Sequence, residues 1–218
     1  MEFKKNMFYI TADAVVFTIL SKELKILLIK RSHEPFKSKF ALPGGMVNID
    51  EDLEEAAKRE LEEETGVKNI FLKKLHAFGE VNRDPRGRMV TIPFYALVDG
   101  EKINLNSTSG AEFAQWFSVY ELPELAFDHK KIVDDALKHL RYEVKNTNIA
   151  VQLMPEDFTL SELQNAYEII FNEKQDKRNF RKKIKELGIL KAIPGTKMDG
   201  AHRPAKLYSF KEKGYKML

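Results

Sequence analysis

From Gly45 to Val67 the chain reads GMVNIDEDLEEAAKRELEEETGV, filling every fixed position of the pattern G-x5-E-x7-R-E-U-x-E-E-x-G-U, where U is aliphatic. At about 100° per residue, a helix through this stretch puts Leu53, Ala56 and Ala57 on one face and continues that face with Glu60, Glu63 and Glu64. Glu55, Lys58 and Glu62 fall on the opposite side. A solvated helix keeps its carboxylates away from its apolar stripe, whereas this one lines three of them up where it meets the body of the protein. Such a cluster repels itself unless cations hold it. The i, i+3, i+4 spacing brings the three side chains to one point, and hard oxygen donors suit Mg²⁺ or Mn²⁺.

The flanking residues have mechanical reasons. Pro43, Gly44 and Gly45 predict a tight turn in which a backbone carbonyl can approach the metal, because glycine carries no Cβ. Asp50, Glu51 and Asp52 place negative charge at the helix start, and Gly66 supplies its stop. The whole stretch resembles the Nudix box, the signature of hydrolases that cleave nucleoside diphosphates linked to another group. The resemblance implies that Arg59 pairs with Glu51. It also implies that Glu60, Glu63 and Glu64 bind metal with the Gly44 carbonyl. Asp50 departs from the glycine many members carry there, and leaves the ligand positions untouched.

A chain of 218 residues accommodates one larger and one smaller domain. With no cysteine there are no disulfides and no thiolate metal sites. The apolar run Ala14–Leu20 is short and follows Asp13, so no signal peptide or membrane span is expected, and a cytoplasmic location is. The net charge of +3 is unevenly spread. Residues 1–149 carry 22 Lys+Arg against 24 Asp+Glu, and residues 150–218 carry 14 against 9. The positive charge therefore belongs to the tail.

Asp13–Leu20 and Leu24–Lys30 read as a strand hairpin, and Phe40–Leu42 leads into the glycine turn. Phe71–Phe78, Met89–Val98 and Glu112–Val119 are strand-like, and His129–Tyr142 is an amphipathic helix. Strands around one carboxylate-bearing helix predict an α/β fold, the mixed α/β/α sandwich of a Nudix domain over residues 1–148. The loop NRDPRGR offers Arg83, Arg86 and Arg88 as bidentate phosphate grips on a turn bent by Pro85 and Gly87; a charged hairpin turn explains it equally well. With the strand MVTIPFYALV after it, this loop looks like those of ADP-ribose-type Nudix proteins. Glu112 stands where such enzymes often place a further carboxylate as ligand or base. In LAFDH, Asp128 and His129 are as readily structural as functional, with Asp128 capping the helix that follows.

In the tail, Thr159 and Glu162 predict a capping box opening a helix with Leu160, Leu163, Tyr167 and Ile170 on one side. Asp176 starts a second helix in which Phe180, Ile184 and Leu187 share a face and Arg178, Arg181, Lys182 and Lys185 project from the other. Two strands, Ile189–Ile193 and Ala205–Phe210, flank a loop holding Pro194, Gly195, Lys197, Gly200 and Arg203. This order predicts a small winged helix-turn-helix domain over residues 149–218, with Arg178, Arg181, Lys182, Lys185 and Arg203 facing DNA. LPELAFDHKKIVDDAL, MPEDFTLSELQNAYEII and DKRNFRKKIKELGIL together resemble the Nudix-related transcriptional regulators. That resemblance implies a Nudix domain that senses ADP-ribose or a related metabolite. It also implies a winged helix that binds operator DNA as a homodimer, with NAD metabolism the best-known target. Two readings follow: a Mg²⁺-dependent pyrophosphohydrolase, with Glu63 or Glu112 as base, and a repressor that binds ADP-ribose without turnover. The intact box favours the first and the basic winged helix the second.

Overall fold

The computed structural model describes residues 7–106, 111–198 and 204–212. Its elements up to residue 146 are β1 (Tyr9–Leu20), β2 (Glu23–Arg31), β3 (Phe40–Ala41), β4 (Gly44–Met46), α1 (Leu53–Thr65), β5 (Lys73–Lys74), β6 (Met89–Thr91), β7 (Phe94–Val98), β8 (Ala111–Ser118) and α2 (His129–Asn146). Every side chain of β1 from Thr11 to Thr18 is buried, so both faces of that strand are covered. The β-rich sequence Ala14–Leu20 makes β1 the centre of a mixed sheet ordered β3-β2-β1-β7-β5. Strands β6 and β7 run parallel to β1, β4 antiparallel to it, and β8 antiparallel to β2. On one face Ala12, Ala14 and Val16 pack with Ala56, Ala57 and Leu61 of α1. The box helix is thus fixed by its small apolar residues, which let it sit close to the strands.

Two expected strands come out shorter, each for a local reason. Met89–Val98 breaks at Ile92–Pro93 into β6 and β7, because Pro93 has no N–H for the ladder. Its carbonyl instead accepts from Leu75 N at 2.8 Å. Phe71–Phe78 keeps only β5 and a bridge from Phe78 to Thr91. Its buried residues Leu72 and Leu75 are three apart, which no continuous strand can direct to one face.

In the tail, β9 (Phe158–Thr159), α3 (Leu160–Phe171), α4 (Lys177–Leu187), β10 (Leu190–Lys197) and β11 (Ala205–Phe210) follow. The short β9, absent from the sequence reading, completes a three-stranded sheet ordered β10-β11-β9. The Thr159–Glu162 capping box forms, Asp176 caps α4 by accepting from Arg178 N and Asn179 N, and Gly188 closes it in the left-handed region at φ 64°. Between α3 and α4, Gln164 Nε2 donates to Gln175 O and Gln175 N to Glu168, which fixes the turn. Phe158, Leu163, Tyr167, Ile170, Phe180 and Ile184 form the buried interior.

Contacts divide the chain into two units, Met1–Thr18 with Lys25–Leu137, and Ile19–Leu24 with Lys138–Leu218. The unit change lies inside α2, which runs four residues beyond the expected Tyr142 and buries Val144. No helix among the described residues is long and apolar enough to cross a membrane.

Candidate functional site

A capping box of Asp52 and Glu55 opens α1, and Gly66 at φ 76° ends it. Along its inner side burial is graded: Glu64 is buried, Glu60 and Glu63 partly so, and Glu62 exposed. Gly44 N donates to Glu64 at 2.9 Å. Burial, together with the nearby Glu60 and Asp13 carboxylates, pushes the Glu64 pKa up to about 8. Burial also raises that of Glu60. The glycine turn is needed sterically, since a Cβ on Gly45 would fall against the Glu60 carboxylate and one on Gly44 against the Ala12 carbonyl. Neighbouring, partly buried carboxylates of this kind suit a hard divalent cation, which would offset the cost of ionising Glu64.

Arg59 organises the outer edge. Its Nε and Nη2 donate to the two Glu51 oxygens at 2.9 and 2.7 Å, its Nη1 to Glu60 at 2.8 Å, and its Nη2 also to Met46 O. The Arg59 hydrogen bonds hold the Glu51 carboxyl at about 2. The Glu51–Arg59 pair implied by the box is therefore formed, and Glu63 lies 3.6 Å from the same guanidinium. An open depression of about 700 Å³ runs past Arg59, Glu63, Lys68 and Asn104.

Beyond the glycine turn lies a smaller cavity of about 90 Å³, walled by Asp13, Arg31, Gly44, Arg83, Arg86 and His129. That is room for about three waters, or for a group of phosphoryl size. Asp13 is buried and accepts from Thr91 Oγ1 at 2.5 Å. Arg31 donates to the carbonyls of Pro35 and His33, and burial followed by the charge of Arg86 lowers its pKa. Its guanidinium and that of Arg86 lie 4.9 and 5.3 Å from the Phe127 ring centre. His129 accepts from Leu42 N through Nδ1 at 2.9 Å, and burial lowers its pKa.

Each of the loop arginines has a protein partner. Arg83 is buried and bidentate to Asp128, with bonds of 3.1 Å from Nε and 2.7 Å from Nη2. Arg86 is bidentate to Asp84, and Arg88 reaches the Glu80 carbonyl. The Asp128 carboxylate, expected to cap α2, accepts both Arg83 bonds. Glu112 forms an ion pair with Lys30 at 2.8 Å. Asp13, Arg31 and His129 did not enter the sequence-derived site. A lone acid inside the apolar run Ala12–Phe17 was the one signal that could have found Asp13.

In the second unit Arg178, Arg181, Lys182 and Lys185 are all exposed on α4, opposite the buried Phe180 and Ile184. Lys197 of β10 is tied to Glu162 of α3 at 2.6 Å. Gly200 and Arg203 lie outside the described residues.

With this geometry established, residues 10–136 match the NUDIX domain model and residues 150–210 the NrtR DNA-binding winged helix domain model. The ADPR responsive transcriptional repressor NtrR of Acinetobacter baylyi is 37% identical over 209 residues, covering 94% of this chain and 83% of that protein. The chain belongs to the NrtR family of Nudix regulators. A crystal structure of Shewanella oneidensis NrtR complexed with a 27mer DNA superposes with TM-score 0.79 at 31% identity, covering 93% of each chain. The ADP-ribose pyrophosphatase of Methanocaldococcus jannaschii is 42% identical over 137 residues, 63% of this chain and 80% of that one. NrtR regulators thus join a Nudix domain, a fold that generally uses divalent metal ions, to a winged helix.

Proposed function

We propose that this chain is an ADP-ribose-responsive repressor whose Nudix domain also hydrolyses ADP-ribose to AMP and ribose 5-phosphate. The observation that carries the reading is the undiminished carboxylate platform of Glu60, Glu63 and Glu64 in a chain that also presents the basic face of α4. Glu60, Glu63, Glu64 and the Gly44 carbonyl would hold Mg²⁺ or Mn²⁺, which when bound polarises the diphosphate and acidifies water. Arg59 keeps Glu60 and Glu51 in place. Arg31, Arg83, Arg86 and Arg88 supply positive charge for the diphosphate, and Glu63 or Glu112 serves as the base. Water adds to one phosphorus, the bridging P–O bond breaks, and the base takes the proton.

The winged helix, acting in a homodimer, binds an operator through Arg178, Arg181, Lys182, Lys185 and Arg203. A second reading, ligand binding without turnover, is favoured by the winged helix and the basic face of α4. A turnover assay with ADP-ribose and Mg²⁺, run beside a gel shift on the gene's upstream region, separates the two. AMP release with operator binding supports the full proposal; operator binding released by ADP-ribose without AMP supports the second reading; neither activity overturns both.

A further inference from the structure

Arg83 and Asp128 form the most deeply buried ion pair described, with side chains 3% and 8% exposed. The pair uses the Nε hydrogen and one Nη2 hydrogen of a guanidinium that carries five N–H donors. The unused donors belong to a side chain that walls the 90 Å³ cavity together with Gly44 and Asp13, beside the metal platform. A planar fork held on one edge by a carboxylate presents its other edge in a fixed direction, which suits bidentate capture of a phosphoryl oxygen pair.

Asp128 also begins α2. Its carbonyl accepts from Lys131 N at 2.9 Å and Ile132 N at 3.4 Å, and the next residue, His129, holds the Leu42 amide. The preceding Phe127 has φ 52°, a left-handed conformation uncommon for a bulky side chain. Toward its other end, α2 is bonded to α3 through Arg141 Nε to Ile170 O at 3.0 Å and Tyr167 hydroxyl to Val144 O at 2.9 Å.

We propose that Asp128 is a positioning residue, which aims Arg83 at the ligand diphosphate and ties ligand binding to the first turn of α2. The inference rests on the ADP-ribose reading above and adds a residue to it. A phosphoryl group that draws on Arg83 acts on Asp128 through two hydrogen bonds, and Asp128 is built into the start of the helix whose far end bonds to α3. Binding energy spent at the cavity is thereby available to change the state of the helix.

The test uses the full-length protein with α,β-methylene ADP-ribose, measuring analogue affinity by calorimetry and operator affinity with and without saturating analogue. Asp128→Asn and Arg83→Gln should each weaken the analogue on the order of tenfold or more. The double variant should be no weaker than Arg83→Gln alone. In Asp128→Asn at saturating analogue, the analogue's effect on operator affinity should shrink toward none, which a merely structural role does not require. Asp128→Glu keeps the charge, guards against a folding failure, and should recover part of both affinity and coupling. Wild-type protein that does not bind the analogue overturns the ADP-ribose reading and this inference with it. Wild-type binding with unchanged Asp128→Asn, or additive losses in the double variant, overturns the positioning role alone.

Discussion

Helices α1 and α4 are both densely charged, but their charges are put to opposite use. On α1 the carboxylates Glu60 and Glu64 face inward, where burial and mutual repulsion raise their pKa values. On α4 the cations face solvent, opposite Phe180 and Ile184. Buried like charges interact strongly and make a specific site, whereas exposed ones are screened and form a field that salt weakens. The same residue-level vocabulary therefore predicts steep effects of single substitutions in α1 and graded, salt-dependent effects in α4.

The sharpest way to break this contrast is at the platform. Glu60→Gln or Glu64→Gln removes one ligand charge with little change of shape, and should lower ADP-ribose turnover by about 10²-fold or more in a steady-state assay. Turnover near wild type in both variants would show that the inward charges are ornamental.

Next in size are the outward charges. Replacing Arg178, Arg181, Lys182 or Lys185 with Ala should weaken operator binding and flatten its salt dependence by about one unit of logarithmic slope per lost phosphate contact. Gel shifts at several salt concentrations read this directly, and an unchanged slope in all four variants places the contacts elsewhere.

A smaller effect concerns pH. The Glu64 carboxyl titrates near 8 in the fold against an ordinary value of 4.5, so over that window the folded protein holds a proton the unfolded chain has lost. Its contribution to the stability of the metal-free protein is full below about pH 4.5 and is lost as pH rises toward 8, with a slope no steeper than about 1.4 kcal/mol per unit. Thermal melts in chelator should follow that trend, Glu64→Gln should flatten it, and saturating Mg²⁺ should oppose it by favouring the ionised form. The smallest effect is expected at Glu55, whose carboxylate accepts from Asp52 N at the helix cap. Glu55→Gln keeps an accepting oxygen there, and should leave turnover unchanged and stability within about 0.5 kcal/mol.

What was legible in the sequence follows the same contrast. The α1 platform was readable because a helical period fixes which residues share a face, and the caps at Thr159, Asp176 and Gly188 because capping is local chemistry. The cavity was not. Asp13 and Arg31 come from β1 and β2, His129 from α2, and Arg83 from a loop, so only the tertiary fold assembles them. The pairing of Arg83 with a residue 45 positions away has no sequence signal. β9 was missed because two residues carry no periodicity.

Operator affinity measured across a titration of α,β-methylene ADP-ribose, and analogue affinity measured across a titration of operator, test most directly the claim that the ligand site and the DNA site belong to one device. Linkage requires the two effects to be the same factor. The account predicts that saturating analogue weakens operator binding, and that saturating operator weakens analogue binding equally. Operator affinity unchanged at saturating analogue would contradict it.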